Sequence, residues 1–309
     1  MERKVIVIVG PTCSGKTQLC IYLSEILNIE VVSADSRQVY KKMNIGTAKP
    51  SSEILQKVKH HFIDSHNPDE DFNISIFEKA AEEKIREILK DNKIPIVAGG
   101  SGLYIKALID GISDDVDKDE EYRNELHGLR NKFGNEYLYN ILKEKDFAGA
   151  QKMLPSNWKR VMRALEVLHI SGKPIWYFHS IQKPKTDFQF LQFGLLWQRD
   201  VLYKMIEERT DKMINEGLVN EVQEILNDGY NTKLNALNTV GYKEIIEFIE
   251  NKITLERAAE LIKRNTRRYA KRQMTWFRKD ERIKWIEINE ENDLKNAAGV
   301  IAETYKKGQ

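Results

Sequence analysis

The chain has 309 residues, enough for one large domain or two modest ones with a real core. Hydrophobic residues make up 41% and charged residues 31%, which excludes a disordered chain, and no apolar run approaches membrane-spanning length. Lys and Arg total 49 against 47 acids, so the sum alone implies no polyanionic partner and the distribution has to carry that question. Two cysteines, Cys13 and Cys20, fit reduced thiols better than a disulfide framework, and residues 5–9 are too short for a signal-peptide core. A cytoplasmic protein with no membrane association is expected.

Residues 5–9 are all β-branched, a pattern suited to a central parallel strand covered on both faces. They run into Gly10-Pro11-Thr12-Cys13-Ser14-Gly15-Lys16-Thr17, a full match to the P-loop spacing GxxxxGK(S/T). A helix pattern follows, with Leu19, Leu23 and Leu27 on one face. Glycines at both ends let the backbone curl so that successive N–H groups point inward at phosphate oxygens, and the new helix adds its positive end. Lys16 can then reach the terminal phosphate, and the Thr17 hydroxyl can ligand magnesium.

Residues 30–36 read as a short strand ending in a polar turn, which puts Asp35 on the same rim as the phosphate loop. Residues 46–50 must be loop because proline ends whatever precedes it. Residues 60–64 suggest a brief third strand, 74–92 an amphipathic helix, and 93–102 an apolar strand running into glycines. That strand carries no acid at its end, unlike the metal-holding strand of motor-type P-loop proteins. Gly99, Gly100 and Gly102 signal either close approach of backbone to a ligand or a tight turn.

From Asp110 the character changes. Residues 110–121 hold seven acids and one lysine, and helix patterns follow at 122–132, 136–144 and 158–171 with no strand between. Strand composition returns at 188–197, helix patterns at 199–227 and 241–250, a long basic helix at 255–278 and a last strand at 284–288. The expected fold class is α/β: a P-loop NTPase-like parallel sheet core (1–112 and 185–309, ending in basic helices) with a helical insertion domain at 113–184.

Charge asymmetry sits on the long helix. Residues 257–284 hold eleven Lys/Arg against three acids, interleaved with Tyr269, Trp276 and Phe277, either a solvated face or a stripe for a phosphodiester backbone. Lys159, Arg160 and Arg163 form a second basic cluster, with Arg160 and Arg163 on one helix face. A phosphate pocket, an aspartate on its rim and basic surfaces admit phosphoryl transfer or alkyl transfer from a diphosphate ester. The spacing of Asp114, Asp115 and Asp117 fails the DDxxD pattern of helical prenyl transferases, because Lys118 stands where the last acid belongs.

The segments GPTCSGKT, SADSRQVY, NIGTAKP, AGGSGLYIKAL, RVMRALEV, SGKPI, EGLVNEV and VGYKE, in this order, resemble the bacterial tRNA dimethylallyltransferases (tRNA isopentenyltransferases) from residue 5 to about 280. The resemblance implies transfer of a dimethylallyl group from dimethylallyl diphosphate to N6 of the adenosine beside the anticodon's third base, with Mg2+ as cofactor and the tRNA anticodon stem-loop as partner of a monomer. Gly10, Pro11, Thr12, Cys13, Ser14, Gly15, Lys16 and Thr17 would hold the diphosphate or a nucleotide, with Thr17 or Ser14 on the metal. Arg199 and Arg209 match family arginines that hold the diphosphate. Asp35 would be the general base, with Thr12 as an orienting hydroxyl. Asp35, Ser36, Arg37, Gln38, Ser101 and Arg123 would line the tRNA contact, and Lys159, Arg160, Val161, Met162 and Arg163 would grip the stem-loop. The adenine is expected to leave its stack.

Three departures stand out: Cys13 replaces an alanine, Met205 an arginine, and Ser156-Asn157-Trp158 a more usual Asn-Asp pair. No Cys/His zinc-binding tail follows residue 280, which resembles bacterial members. The competing readings are an adenylate isopentenyltransferase acting on free AMP, a small-molecule kinase and a nucleotide-sensing RNA-binding protein. Salt-sensitive tRNA affinity separates the first, phosphoryl transfer from ATP the second, and turnover lost on Asp35→Asn the third.

Overall fold

Strand β1 (Lys4–Val9) is buried along its whole length and divides the interior in two. Val5, Val7 and Val9 face one apolar cluster, while Ile6 and Ile8 face another, as the two-residue period of a strand requires. The computed structural model describes residues 3–111, 116–181 and 186–307. The expected boundaries at 112/113 and 184/185, and the Asp114–Asp115 pair, lie outside the described residues.

Around β1 the elements come in order: α1 (Lys16–Ser24), β2 (Ile29–Ser33), α2 (Ser52–Lys57), β3 (His60–His61), α3 (Ile74–Lys90), β4 (Ile94–Gly99) and α4 (Gly102–Asp110). Next are α5 (Glu120–Phe133), α6 (Asn135–Lys145), α7 (Phe147–Ala150), α8 (Trp158–Ser171) and α9 (Ile175–Ile181). The chain then continues through β5 (Gln189–Trp197), α10 (Arg199–Asn215), α11 (Leu218–Asn227), α12 (Tyr242–Ile249), α13 (Leu255–Phe277), β6 (Lys284–Ile288) and α14 (Asn292–Lys307). The sheet order is β3-β2-β4-β1-β5-β6, with every neighbouring pair parallel. The α/β class read from the sequence is therefore the observed one. Parallel pairing aligns the carboxyl ends of the strands, and the β1 and β2 ends lead directly into the phosphate loop and Asp35.

The chain divides into two compact units, Met1–Ile109 with Thr186–Gln309, and Asp110–Lys185. The second is helical and builds its own core from residues such as Leu126, Leu138, Leu142, Val161 and Leu165. In the first, α1 and α14 cover one sheet face, and α3, α4, α11, α12 and α13 bury residues against the other.

Local chemistry sets the element ends. Asn73 caps α3 through Oδ1, which accepts from the Ser75 and Ile76 amides, and the Thr254 hydroxyl caps α13. The helical pattern over 199–227 is two helices, because Gly217 turns left-handed (φ 98°) between α10 and α11. At Gly99, Gly100 and Gly102, where β4 ends, the backbone comes close to other parts of the protein. A Cβ at Gly99 would lie 2.1 Å from the Ala34 carbonyl oxygen, one at Gly100 2.2 Å from the Gln273 amide nitrogen, and one at Gly102 2.2 Å from the Trp276 ring. The close approach is to the protein's own backbone and to side chains of α13.

Ile6 is fully buried at the centre of the sheet. Ile6→Ala is expected to lower unfolding free energy by about 2–5 kcal/mol in chemical denaturation; a loss below about 1 kcal/mol would contradict a central, doubly covered β1.

Candidate active site

The loop between β1 and α1 gets its curl from two left-handed residues, Cys13 (φ 65°) and Gly15 (φ 82°). Three elements hold it from outside. On α13, the buried Gln273 accepts from the Thr12 amide (2.9 Å) and donates to the Gly100 carbonyl (3.0 Å). At the end of β5, the Trp197 indole donates to the Ser14 carbonyl (3.0 Å). On α10, Arg209 donates to the Thr12 hydroxyl (2.8 Å). Behind the loop, Leu294 of α14 fills the space a Gly15 side chain would need.

Lys16 is half-buried, and its ammonium is enclosed by the loop itself, donating to the Pro11 (2.7 Å) and Gly10 (3.1 Å) carbonyls. Burial pulls its pKa down to about 8, against the attraction of Asp35 and Cys13, while Arg209 adds to the lowering. Burial pushes the nearby Cys20 thiol up to about 12, which makes it an inert core group.

A cavity of about 330 Å³ opens over the loop, lined by Lys16, Thr17, Asp35, Gly99, Gly100 and Gln273 among others. A second cavity, of about 190 Å³, is lined by Ser36, Arg37, Gly46, Val240, Gly241 and Thr266 among others. Thr12, Asp35, Thr47, Arg209 and Tyr269 line both, so these five residues form a shared wall. Burial holds the Tyr269 phenol up at about 12, so it stands in that wall as a neutral hydroxyl.

Asp35 does what a turn residue does and keeps a second function available. Its Oδ1 accepts from the amides of Arg37 (2.8 Å) and Gln38 (3.3 Å), which fixes the carboxylate in a side-chain turn. Among the described residues, Oδ2 has no hydrogen-bond donor. The Ser101 hydroxyl accepts from the Ser36 amide (3.1 Å) and pins the same turn to the end of β4. Arg37 also donates to the Asn235 carbonyl (2.9 Å), and the Gln38 carboxamide donates to the Thr47 and Ala48 carbonyls.

Other expected site residues stand differently. Arg199 is exposed, lies over the Tyr203 ring and lines neither cavity, in contrast to Arg209. Met205 packs on the apolar cluster of Leu202, Ile206 and Ala270. Within the insertion, Arg123 and Arg163 converge on the buried carboxylate of Glu166, at 2.6 and 2.5 Å. Burial would raise the Glu166 pKa, but these two guanidinium groups and the Asp119 amide hold it below the usual range. The two arginines expected to face tRNA thus share one buried carboxylate, their own side chains 29% and 20% exposed. Val161 and Met162 turn into the insertion core at 0% and 6% exposure, so their side chains are withdrawn from any RNA. Lys159 and Arg160 are exposed.

No group of three or more His, Cys, Asp or Glu side chains that could hold a metal exists among the described residues. The donor set fits magnesium only as P-loops hold it, through the Thr17 hydroxyl together with phosphate oxygens and water.

Residues 38–280 match the family described as IPP transferase. The chain belongs to that family. The tRNA dimethylallyltransferase of Alkaliphilus oremlandii is 42% identical across 99% of this chain and 98% of that protein. The enzyme of the same name from Carboxydothermus hydrogenoformans is 43% identical across 98% of each. Among solved structures, the full-length tRNA isopentenylpyrophosphate transferase of Bacillus halodurans matches with a TM-score of 0.73 at 36% identity, over 99% of this chain and 98% of that one. A eukaryotic dimethylallyltransferase solved acting on tRNA matches with a TM-score of 0.83 at 27% identity, over 99% and 80%.

Sequence reading overlooked Gln273 and Trp197 as residues that hold the loop. Gln273 left one trace: a carboxamide on the same helix face as the buried Ile262, Ala270 and Phe277, where an unpaired polar group would be costly.

With Lys16 depressed to about 8, its charge fades as pH rises through that value, while a diphosphate ester is already fully ionised. Diphosphate affinity measured by calorimetry is expected to fall between about pH 7.5 and 9.5, and Lys16→Met to flatten the profile. A wild-type profile as flat as the variant's would contradict the enclosed ammonium.

Proposed function

We propose that this protein transfers a dimethylallyl group from dimethylallyl diphosphate to the exocyclic N6 of the tRNA adenosine next to the anticodon, at position 37, releasing diphosphate. The single observation that carries the reading is the wall shared by the two cavities: Asp35, Thr12 and Arg209 face both. The donor's diphosphate belongs in the loop cavity and the acceptor purine in the other. The curated relatives are named for tRNA, which favours an RNA acceptor over free AMP.

The division into two cavities supports a transfer between two separately held groups. The adenine amine attacks the first carbon of the allyl group, the N–C bond forms, and the bond from that carbon to the diphosphate oxygen breaks. Asp35 accepts the proton the amine loses, with Oδ1 anchored by the Arg37 and Gln38 amides and Oδ2 as the receiving oxygen. Lys16 and Arg209, with the amides of Lys16 and Thr17 at the start of α1, stabilise the departing diphosphate. The Thr12 hydroxyl, held by Arg209, orients groups at the wall. Magnesium, held by Thr17 and phosphate oxygens, would offset the diphosphate charge. Proton acceptance by a fixed carboxylate is typically worth about 10²–10⁴-fold.

An adenine stacked in an anticodon loop cannot enter a cavity of this kind, so the base is everted on binding. Ser36 and Arg37, which line the second cavity, contact RNA beside it. On α13, Arg268, Lys271 and Arg272 are exposed and supply backbone attraction. On the insertion, Lys159 and Arg160 supply the corresponding grip on the stem. The enzyme works as a cytoplasmic monomer.

The test is nucleoside mass spectrometry after incubating unmodified tRNA, dimethylallyl diphosphate and magnesium with the protein. Prenylated adenosine at position 37 is the expected product, and its absence with every A37-containing tRNA rejects the reading. Asp35→Asn is expected to lower turnover by about 10²–10⁴-fold while filter-binding affinity for tRNA stays within about twofold. Unchanged turnover would remove Asp35 as the base.

A further inference from the structure

Glu221 of α11 is a buried carboxylate, 9% exposed, outside both cavities. It accepts four hydrogen bonds. Its Oε2 takes the amides of Asn44 (2.8 Å) and Ile45 (2.7 Å), and its Oε1 takes the Gly46 amide (3.1 Å) and the Tyr242 hydroxyl (2.6 Å). Three successive backbone N–H groups converging on one point form a concavity that attracts an anion, and here the protein fills it with its own side chain. Gly46 lies so close to α11 and α12 that a Cβ there would sit 2.4 Å from the Tyr242 ring and 2.9 Å from Leu218. Residues 44–46 are therefore laid flat on these two helices and clamped.

Immediately after the clamp the chain enters the shared wall, where Thr47 lines both cavities. The Thr47 carbonyl and that of Ala48 accept from the Gln38 carboxamide (3.2 and 3.1 Å), and the Gln38 amide donates to Asp35 Oδ1 (3.3 Å). An unbroken path of hydrogen bonds and backbone thus runs from Glu221 through 44–48 and Gln38 to Asp35. The phosphate loop lies outside this path, held instead by Gln273, Trp197 and Arg209.

We infer that Glu221, with Tyr242, is a positioning residue: it sets the wall segment 44–48 and through Gln38 the stance of Asp35, and so serves the transfer step rather than diphosphate binding. The inference rests on the tRNA prenyl transfer proposed for this site. Glu221→Gln presents an N–H₂ to donors that now meet an oxygen, so the segment must shift; Tyr242→Phe removes one donor and keeps the packing.

Steady-state kinetics on tRNA with dimethylallyl diphosphate separate this role from simple support. Glu221→Gln is expected to lower kcat by about 10–100-fold, the scale of a misplacement near 1 Å, with KM for dimethylallyl diphosphate within about twofold. Tyr242→Phe is expected to lose less, about 3–10-fold, again in kcat alone. Thermal melts fix the folded fraction at the assay temperature. A kcat loss that merely tracks the unfolded fraction, a KM for dimethylallyl diphosphate that rises in step, or wild-type kcat in both variants overturns the inference. Should Glu221→Gln not fold, Tyr242→Phe alone decides it. If the wild-type protein itself transfers no prenyl group, the function reading fails instead.

Discussion

Thr12 is held at both ends, its amide by Gln273 and its hydroxyl by Arg209, and the geometry of the whole site depends on that double hold. A phosphate loop binds through backbone amides, and backbone amides can be aimed only if the loop cannot relax. Here the constraint comes from elements remote in sequence: α10 and α13 from the second half of the core, and Trp197 from the end of β5. The Gln273 carboxamide bridges Thr12 to Gly100, tying the ends of β1 and β4 across the pocket. Leaving such a buried group unpaired costs about 1–3 kcal/mol, so the bridge resists opening. Because Gln273 rides on the basic helix, α13 and the loop of residues 10–17 are tied by a direct hydrogen bond.

Buried carboxylates recur as fasteners. Glu221 clamps the wall segment, Glu244 caps α12 through the Gly241 amide and holds Asn265 of α13, and Glu166 draws Arg123 and Arg163 together in the insertion. Far from the site, Glu30 on β2 shows the same logic: burial works against its charge, yet hydrogen bonds from Lys93, His61 and Lys59 hold its pKa down to about 2. In each, several donors meet the carboxyl oxygens and offset the cost of burial. Asp35 is different in kind, since only one of its two oxygens is committed.

Much of this was legible from residues alone where the signal is local. The β-branched run of β1, the glycine spacing of the loop and the position of Asp35 after an apolar strand each arise from short-range pattern, and the alternation of strands and helices gives the parallel sheet. Leu294, Ala297, Ala298, Ile301 and Tyr305 recur at helical spacing, so α14 was as legible as the other helices, whereas α4 begins inside the glycine run that reads as a turn. Gly217 splits one long helical pattern because its left-handed φ is invisible in hydrophobic periodicity. Arg123 and Arg163 also meet Glu166, a contact that the i,i+3 spacing of Arg163 and Glu166 makes legible for one of the two. Gln273 and Glu221 acquire meaning only when residues 261 and 175–177 positions away meet them.

One wall, carrying Asp35, separates a diphosphate from the amine that displaces it: that is the central claim. The most direct measurement is a crystal structure with the unreactive sulfur-bridged analogue of dimethylallyl diphosphate and an anticodon stem-loop RNA. The account predicts diphosphate within the loop of residues 10–17 and an everted adenine in the second cavity, its N6 about 3 Å from Asp35 Oδ2. An adenine bound elsewhere, or Asp35 turned out of hydrogen-bonding reach of N6 with both ligands seated, would contradict it.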